Sequence, residues 1–203
     1  MTLIVLPNDK VLHLAVSRKC GTTSAVSIIG YTYFNKHLTY KAKHELIKNN
    51  KWWKNHSKAL VDNIDYKVAI VRNPIQRLIS CYLDRVHIKN RSGIKNEVTN
   101  WQDFINNFEY LRSKYTDLER HSFPQTLILK NDPTYYDHIF KTNEINTGFK
   151  TFIENVTDTE IIDIKSKSSN KKNLPIIKIS KRQKRFIKDF YSDDYTYYGN
   201  YFQ

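Results

Sequence analysis

The apolar run Lys67–Val71 (KVAIV) constrains the fold of this chain more than any other segment, because Arg72-Asn73-Pro74 ends it abruptly. A short apolar run that stops at turn residues is typical of a buried strand. Asn73 suits a helix N-cap, and Pro74 suits the first helical position, where an amide hydrogen would have no partner. Residues 75–86 then carry apolar side chains at helical spacing. The segment is therefore predicted to form a strand, a short loop and a helix in succession.

A second unit of the same kind stands earlier in the chain. Val11–Val16 is predicted to be a buried strand, residues 17–21 a polar turn, and residues 22–29 a helix that opens with hydroxyl side chains. Further along, we expect a helix at 101–115, a strand at 137–142, a helix at 144–156 and a basic helix at 180–191, with polar connections at 91–100 and 157–173. Strands that alternate with helices predict one α/β domain over residues 1–203, with a central parallel sheet flanked by helices.

The charge balance is strongly basic, with 33 Lys and Arg against 20 Asp and Glu and a formal net charge of +13. Such a balance favours anionic partners such as nucleic acid, acidic glycans or phosphorylated cofactors, without choosing among them. Cys20 and Cys81 are too few for a disulfide framework, and we read them as reduced thiols. No apolar stretch approaches the roughly 20 residues of a bilayer span, and no secretory leader is recognised. We therefore expect a cytoplasmic protein with no membrane span.

Positive charge follows the predicted strands at 11–16 and 67–71, where each leads into a helix. Helix starts present amide hydrogens and the positive end of the dipole, so each is a ready anion site. The residues that these two sites offer are Arg18, Lys19, Gly21, Thr22, Thr23 and Ser24 in the first, and Arg72, Arg77 and Ser80 in the second, with Arg77 and Ser80 expected on the helix surface. Two such sites at strand ends indicate a ligand with two phosphates. Arg72 also stands where a magnesium-dependent phosphoryl-transfer enzyme places a carboxylate, which favours a donor handled without metal.

Several segments resemble the sulfotransferases that use 3′-phosphoadenosine 5′-phosphosulfate (PAPS), particularly the carbohydrate-modifying branch. Residues 19–24 (KCGTTS) are similar to the Pro-Lys-x-Gly-Thr-Thr-Ser loop, with Arg18 in place of its proline. Residues 72–82 (RNPIQRLISCY) are similar to the 3′-phosphate motif Arg-Asp/Glu-Pro-x-x-Arg-Leu-x-Ser-x-Tyr, with Asn73 in its acidic position. Residues 121–125 (HSFPQ), 136–141 (YDHIFK) and 191–198 (YSDDYTYY) resemble further family segments. The resemblance implies a P-loop-like sulfotransferase architecture.

The same resemblance implies in-line transfer of the sulfuryl group of PAPS to an acceptor hydroxyl, with release of 3′-phosphoadenosine 5′-phosphate (PAP) and no need for metal. It places Lys19 at the oxygen that bridges sulfur and the 5′-phosphate. It assigns the 5′-phosphate to Thr22, Thr23, Ser24 and the amides around Gly21, and the 3′-phosphate to Arg72 and Ser80. Arg18 and Cys20 are counted as cofactor-binding residues of the same loop. Lys165 and Lys167 stand where the family has a loop that closes over the nucleotide.

A general base must take the hydroxyl proton, and histidine suits this role at neutral pH. In related sulfotransferases the base often lies between the two nucleotide motifs, which leaves His37, His44 and His56 as candidates. His56 stands in the segment most similar to the family's His-Val-Ser and is the first choice. His121 is the second choice.

The resemblance favours a carbohydrate acceptor, and the net charge of +13 is compatible with an anionic one. Two other functions stay open at this point. A basic chain with 14 tyrosines is compatible with nucleic-acid binding, although no nucleic-acid motif is recognised and no such partner is expected. A nucleotide kinase of related architecture would instead require magnesium.

Overall fold

The computed structural model describes residues 3–36, 62–88, 91–162 and 174–203. The strands are β1 (Leu3–Val5), β2 (Val11–Val16), β3 (Tyr66–Val71) and β4 (His138–Lys141). The α-helices of the described residues are α1 (Thr22–Phe34), α2 (Pro74–Tyr82), α3 (Trp101–Asn106), α4 (Phe108–Lys114), α5 (Thr116–Ser122), α6 (Lys150–Thr157), α7 (Lys181–Phe190) and α8 (Ser192–Tyr198). Short π-helical turns cover Leu83–Ile88 and Ile145–Phe149, and 3₁₀ turns cover Arg91–Asn96, Gln125–Leu127, Pro133–Tyr135, Thr142–Glu144 and Gly199–Tyr201.

The chain divides into two units, each with its own hydrophobic core. Unit 1 comprises Met1–Val71 and Ile128–Ser166, and unit 2 comprises Arg72–Leu127 and Lys167–Gln203. One apolar cluster lies wholly within unit 1 and a second lies wholly within unit 2. The prediction of a single domain over residues 1–203 stays a prediction.

The sheet of unit 1 has the strand order β1-β2-β3-β4. Strands β2, β3 and β4 are parallel, and β1 pairs antiparallel with β2 at the edge. The predicted α/β fold with a central parallel sheet is confirmed, and all three predicted strands are present. Val16 pairs with Ile70, and Ile70 pairs with Phe140, so the carboxyl ends of the parallel strands lie along one edge. Ligands of open α/β sheets bind beyond this edge.

Helices α1 and α6 and the π-helical turn between β4 and α6 cover the sheet of unit 1. Ile28 of α1, Phe149 of the turn and Ile153 of α6 are fully buried in the cluster that also contains the buried side chains of β2 and β3. Helix α1 is longer than predicted, because its apolar and aromatic residues continue to Phe34. Helix α1 therefore packs against the core of unit 1 along much of its length.

Unit 2 is helical, and its first helix begins as predicted. Asn73 is the N-cap of α2, its side chain accepts from the N–H of Ile75, and Pro74 occupies the first turn. The buried face of α2 joins the cluster formed with α3, α4, α5 and α7. Helix α7 also begins near its predicted start, since Ser180 and Gln183 form a capping box.

Two predictions about unit 2 are wrong in detail, and two elements of the structure were not predicted. Residues 101–115 form two helices rather than one, because the backbone of Asn107, at φ −108° and ψ 14°, departs from helical geometry. The segment 91–100 is more than a polar connection, since Ile94 and Val98 are buried in the core. Helix α5 and the edge strand β1 of unit 1 have no counterpart among the predicted elements.

Candidate functional site

The loop between β2 and α1 in unit 1 is a tight turn with an unusual backbone. The N–H of Cys20 donates to the carbonyl of Ser17 at 3.2 Å, which closes the turn. Lys19 and Gly21 both have positive φ, at 66° and 85°. A left-handed conformation is costly for a residue with a Cβ, and such strain clusters at ligand sites. The turn therefore holds Lys19 in a backbone conformation that lysine rarely adopts by itself.

The start of α1 is electropositive and has no capping side chain of its own. Its N-cap is Gly21, and the first turn carries no acidic residue. The N–H groups of Ser24 and Ala25 donate to the carbonyl of Gly21, and the hydroxyl of Thr22 donates to the carbonyl of Ser17 at 3.4 Å. The positive end of the helix dipole and the first amide hydrogens suit an anion.

Gly21 also stands where there is no room for a side chain. A Cβ at this position would overlap the Cδ1 of Ile145 and lie 3.5 Å from the Cγ2 of Thr142. Ile145 belongs to the core of unit 1, and the hydroxyl of Thr142 donates to the last carbonyl of β3, that of Val71, at 3.1 Å. Only glycine therefore satisfies both the left-handed backbone and the packing on this loop.

The predicted residues of this loop differ in exposure. Arg18 and Thr23 are exposed, whereas Lys19, Thr22 and Ser24 are half-buried. Cys20 is fully buried, and its N–H closes the turn. The buried thiol therefore supports the loop from inside and is not exposed to a nucleotide.

Arg72 follows β3 directly and is the first residue of unit 2. Both polar groups of its backbone are hydrogen-bonded to one side chain of the same unit, that of Gln125. Its N–H donates to the Oε1 of Gln125 at 2.9 Å, and its carbonyl accepts from the Nε2 of Gln125 at 2.8 Å. Asn73 caps α2 and also donates through its Nδ2 to the carbonyl of Phe202 at 3.1 Å. The segment that the sequence assigns to a phosphate is thus braced by backbone contacts.

The sequence predicted Arg77 on the surface of α2, and this prediction is wrong. The side chain of Arg77 is buried and only 1% exposed. Its guanidinium donates to the carbonyl of Phe123 and lies over the ring of Tyr191, 5.6 Å from the centroid. The hydroxyl of Tyr191 donates to the carbonyl of Ser122, and burial raises the pKa of this phenol well above its usual range. Arg77 therefore supports the core of unit 2, whereas Ser80, three residues on, is half-buried.

His121 is 4% exposed, and both of its ring nitrogens have partners within unit 2. Its Nδ1 lies 2.6 Å from the carbonyl oxygen of Asp117, and its Nε2 contacts the guanidinium of Arg85. Because a guanidinium only donates, Nε2 is the acceptor and Nδ1 carries the hydrogen. Arg85 also pairs with Asp84 at 3.2 Å and with Asp117 at 3.5 Å. In this arrangement His121 is part of an internal network.

Several predicted residues lie outside the described part of the chain. They are the base candidates His37, His44 and His56 and the lysines Lys165 and Lys167. Among the described residues there is no group of three or more His, Cys, Asp or Glu side chains that could hold a metal ion. None of the described helices has the length and apolar character needed to cross a bilayer.

Sequence reasoning did not assign a role to Gln125 or Asp194, which are both fully buried. The signal was present, since Gln125 ends the segment HSFPQ and Asp194 lies in the segment YSDDYTYY, both of which resemble family segments. The contact partners were missing, since no local pattern relates Gln125 to Arg72 or Asp194 to Gln125.

Comparison with known proteins supports one family. The chain matches the model of the Sulfotransferase family over residues 1–202. No curated protein and no solved structure matches the chain. The match covers both strand–loop–helix segments and the segments at residues 121–125 and 191–198.

Proposed function

Because this chain belongs to the Sulfotransferase family and is a PAPS-dependent transferase that releases PAP, we propose that it moves the sulfuryl group to a hydroxyl of a carbohydrate. The single observation that carries the proposal is the loop from Ser17 to Gly21. Its left-handed Lys19 and Gly21 lead directly into a helix start that lacks acidic residues. The loop fits the 5′-phosphosulfate of PAPS because it offers a cation, hydroxyls, amide hydrogens and a glycine with no room for a Cβ.

Some residues of the loop bind the 5′-phosphate, and Lys19 stabilises the charge that develops during transfer. The amide hydrogens of Thr22 and Thr23 at the start of α1 and the hydroxyls of Thr23 and Ser24 hold the 5′-phosphate, while the hydroxyl of Thr22 is bonded to the carbonyl of Ser17. Lys19 places its ammonium at the bridging oxygen, where negative charge grows as the sulfur–oxygen bond breaks. A positioned charge of this kind stabilises the transition state more than the ground state. PAPS supplies the sulfuryl group, and the acceptor hydroxyl attacks in line with the departing phosphate.

Arg72 and Ser80 are proposed to bind the 3′-phosphate. What supports this is the resemblance of residues 72–82 to the family's 3′-phosphate motif, together with the braced backbone of Arg72. A guanidinium can donate two parallel hydrogen bonds to a phosphate, which distinguishes PAP from a nucleotide without that group.

A base must accept the proton of the attacking hydroxyl, and we assign this role to His56. The support is its place between the two nucleotide motifs and its similarity to the family's His-Val-Ser segment. The internal hydrogen bonds of both ring nitrogens of His121 weigh against that side chain as the base. The carbohydrate acceptor is supported by the resemblance and by the net charge of +13, which suits an anionic glycan.

Calorimetry in the presence of a chelator tests the proposed nucleotide. We expect PAP to bind at least about tenfold more tightly than ADP, because the two compounds differ in where the second phosphate stands and each charged hydrogen bond contributes about 1.5–3 kcal/mol. The chelator should leave PAP binding unchanged. Equal affinities, or binding that needs magnesium, would favour the kinase alternative, and salt-sensitive RNA binding without PAP affinity would favour the nucleic-acid alternative.

Replacing Arg72 by alanine is expected to weaken PAP binding by about 1.5–3 kcal/mol, the scale for a charged hydrogen bond. Binding of AMP, which has no 3′-phosphate, should stay at its wild-type level. The measurement is calorimetric titration of both nucleotides. Arg182→Ala serves as the matched control, because Arg182 is an exposed arginine of the same unit on α7. Unchanged PAP affinity in Arg72→Ala would remove Arg72 from the 3′-phosphate site.

A further inference from the structure

The backbone of Arg72 is held by the side chain of Gln125, to which the sequence motifs assign no role. Gln125 is fully buried and spans both polar groups of Arg72, accepting from its N–H at 2.9 Å and donating to its carbonyl at 2.8 Å. The side-chain amide thus makes with Arg72 the paired contacts that a neighbouring strand would make. Arg72 itself stands between the end of β3 and the N-cap of α2, outside any regular element.

Asp194 determines which way the amide of Gln125 faces. The Oδ2 of Asp194 accepts from the Nε2 of Gln125 at 3.2 Å, and its Oδ1 accepts from the N–H and the hydroxyl of Thr126 at 2.9 and 3.2 Å. A carboxylate only accepts, so the amide nitrogen of Gln125 must face it. With the reversed orientation, the amide oxygen would meet both the carboxylate and the carbonyl of Arg72.

Both hydrogens of the Gln125 amide are therefore used. One hydrogen of Nε2 is bonded to Arg72 and the other to Asp194, while Oε1 accepts from the N–H of Arg72. Buried groups in a satisfied network are held rigidly, because each lost contact leaves a costly buried polar atom. The neighbouring bond from Asn73 to the carbonyl of Phe202 adds a second brace to the same backbone.

We propose that Gln125, oriented by Asp194, is a positioning residue that presets the backbone of Arg72 for the 3′-phosphate of the nucleotide. This inference rests on the proposed function of Arg72. Gln125 does not touch the nucleotide. It acts by removing conformational freedom that Arg72 would otherwise lose on binding, which raises affinity for the 3′-phosphate alone.

The test is the ratio of the dissociation constants of AMP and PAP in Gln125→Met. Methionine keeps the length and most of the volume of glutamine but neither donates nor accepts a strong hydrogen bond. We expect PAP affinity to fall by about tenfold, and AMP affinity to stay at the wild-type value, since one ordering cost of about 1.4 kcal/mol corresponds to that factor. A general loss of stability would lower both affinities together and leave the ratio unchanged.

Gln183→Met is the matched control. Gln183 is also buried in unit 2, and its side chain donates to Gln102 at 2.7 Å and completes the capping box of α7. We expect this variant to lose thermal stability while keeping the wild-type nucleotide ratio. A lowered ratio in the control would show that the ratio responds to any buried defect, and this would overturn the inference.

Asp194→Asn provides a second variant that keeps the shape of the site. Asparagine replaces one carboxylate oxygen by an NH2 group, and the oxygen that remains is best placed toward Thr126, which offers two donors. The NH2 group then faces the amide nitrogen of Gln125, so the orientation of Gln125 is disturbed while the volume is kept. The ratio should fall in this variant as well, by less than in Gln125→Met. A wild-type ratio in folded Gln125→Met, or in folded Asp194→Asn if the first variant does not fold, overturns the inference.

Arg72→Ala separates the failure of this inference from the failure of the proposed function. If Arg72→Ala keeps the wild-type ratio, the proposed role of Arg72 is wrong and the role of Gln125 fails with it. If Arg72→Ala lowers the ratio and Gln125→Met does not, only the positioning role is wrong. The double variant should have the ratio of Arg72→Ala alone, because Gln125 acts through Arg72, and additive losses would contradict this.

Discussion

Replacing Lys19 by alanine should lower the turnover of PAPS by about two to three orders of magnitude, the scale for removing one preorganised charge contact in the transition state. The free energy of unfolding should change little. Lysine and alanine both carry a Cβ, so the strain of the left-handed backbone at φ 66° is the same in both. The measurement is the release of PAP from PAPS in the presence of a mixed glycan acceptor, with thermal unfolding recorded in parallel.

Lys10→Ala is the matched control for the Lys19 substitution. Lys10 precedes β2 in the same unit and makes an exposed ion pair with Asp65 at 3.2 Å. Such pairs contribute about 0.2–1 kcal/mol to stability, so this variant should fold and turn over PAPS at the wild-type rate. Wild-type turnover in Lys19→Ala, or an equal loss in Lys10→Ala, would remove Lys19 from the proposed chemistry.

Gly21→Ala should impair both folding and nucleotide binding. Alanine at φ 85° carries a strain of about 1–3 kcal/mol, and its Cβ would also overlap the Cδ1 of Ile145. The loop must move to relieve that overlap, and a displacement on the order of 1 Å can cost about a hundredfold in function. We therefore expect a lower free energy of unfolding in urea and a loss of PAP affinity by about that factor.

Two further variants divide this effect into its backbone and packing parts. Gly93 has φ 77°, and a Cβ added there would meet only the Nδ2 of Asn96 at 3.8 Å, so Gly93→Ala reports the backbone strain alone. Ile145→Val removes the Cδ1 atom, at a cost of about 0.5–1.5 kcal/mol by itself. The double variant Gly21→Ala/Ile145→Val should recover part of the stability lost in Gly21→Ala. Strictly additive losses would show that the overlap with Ile145 is not what destabilises Gly21→Ala.

The elements that the sequence predicted well are those with strong local signals. The N-cap Asn73 and the adjacent Pro74 mark the start of α2, and the apolar runs of β2 and β3 mark two strands that the structure pairs in parallel. Where local signals were ambiguous, the prediction failed. Asn107, at φ −108° and ψ 14°, divides a predicted single helix, and β1 has only three residues, too few for a periodic pattern.

The residues of the candidate site show the same division. Lys19, Gly21 and Arg72 could be named from the sequence, because loops before helices have a recognisable composition. The burial of Arg77 could not, since Arg77 and Ser80 are both polar residues on the same short helix and only the surrounding chain makes one core and the other half-exposed. The absence of space at Gly21 likewise depends on Ile145, far along the chain.

The amino-acid sequence by itself determined the strand–loop–helix order, the cationic loops and the family, because these depend on residues close together in the chain. The tertiary structure alone decided how Arg72 is held. Gln125 is 53 positions from Arg72, and Asp194 is 69 positions from Gln125. Hydrogen bonds over such separations form only when folding brings the segments together, so no local pattern can reveal them.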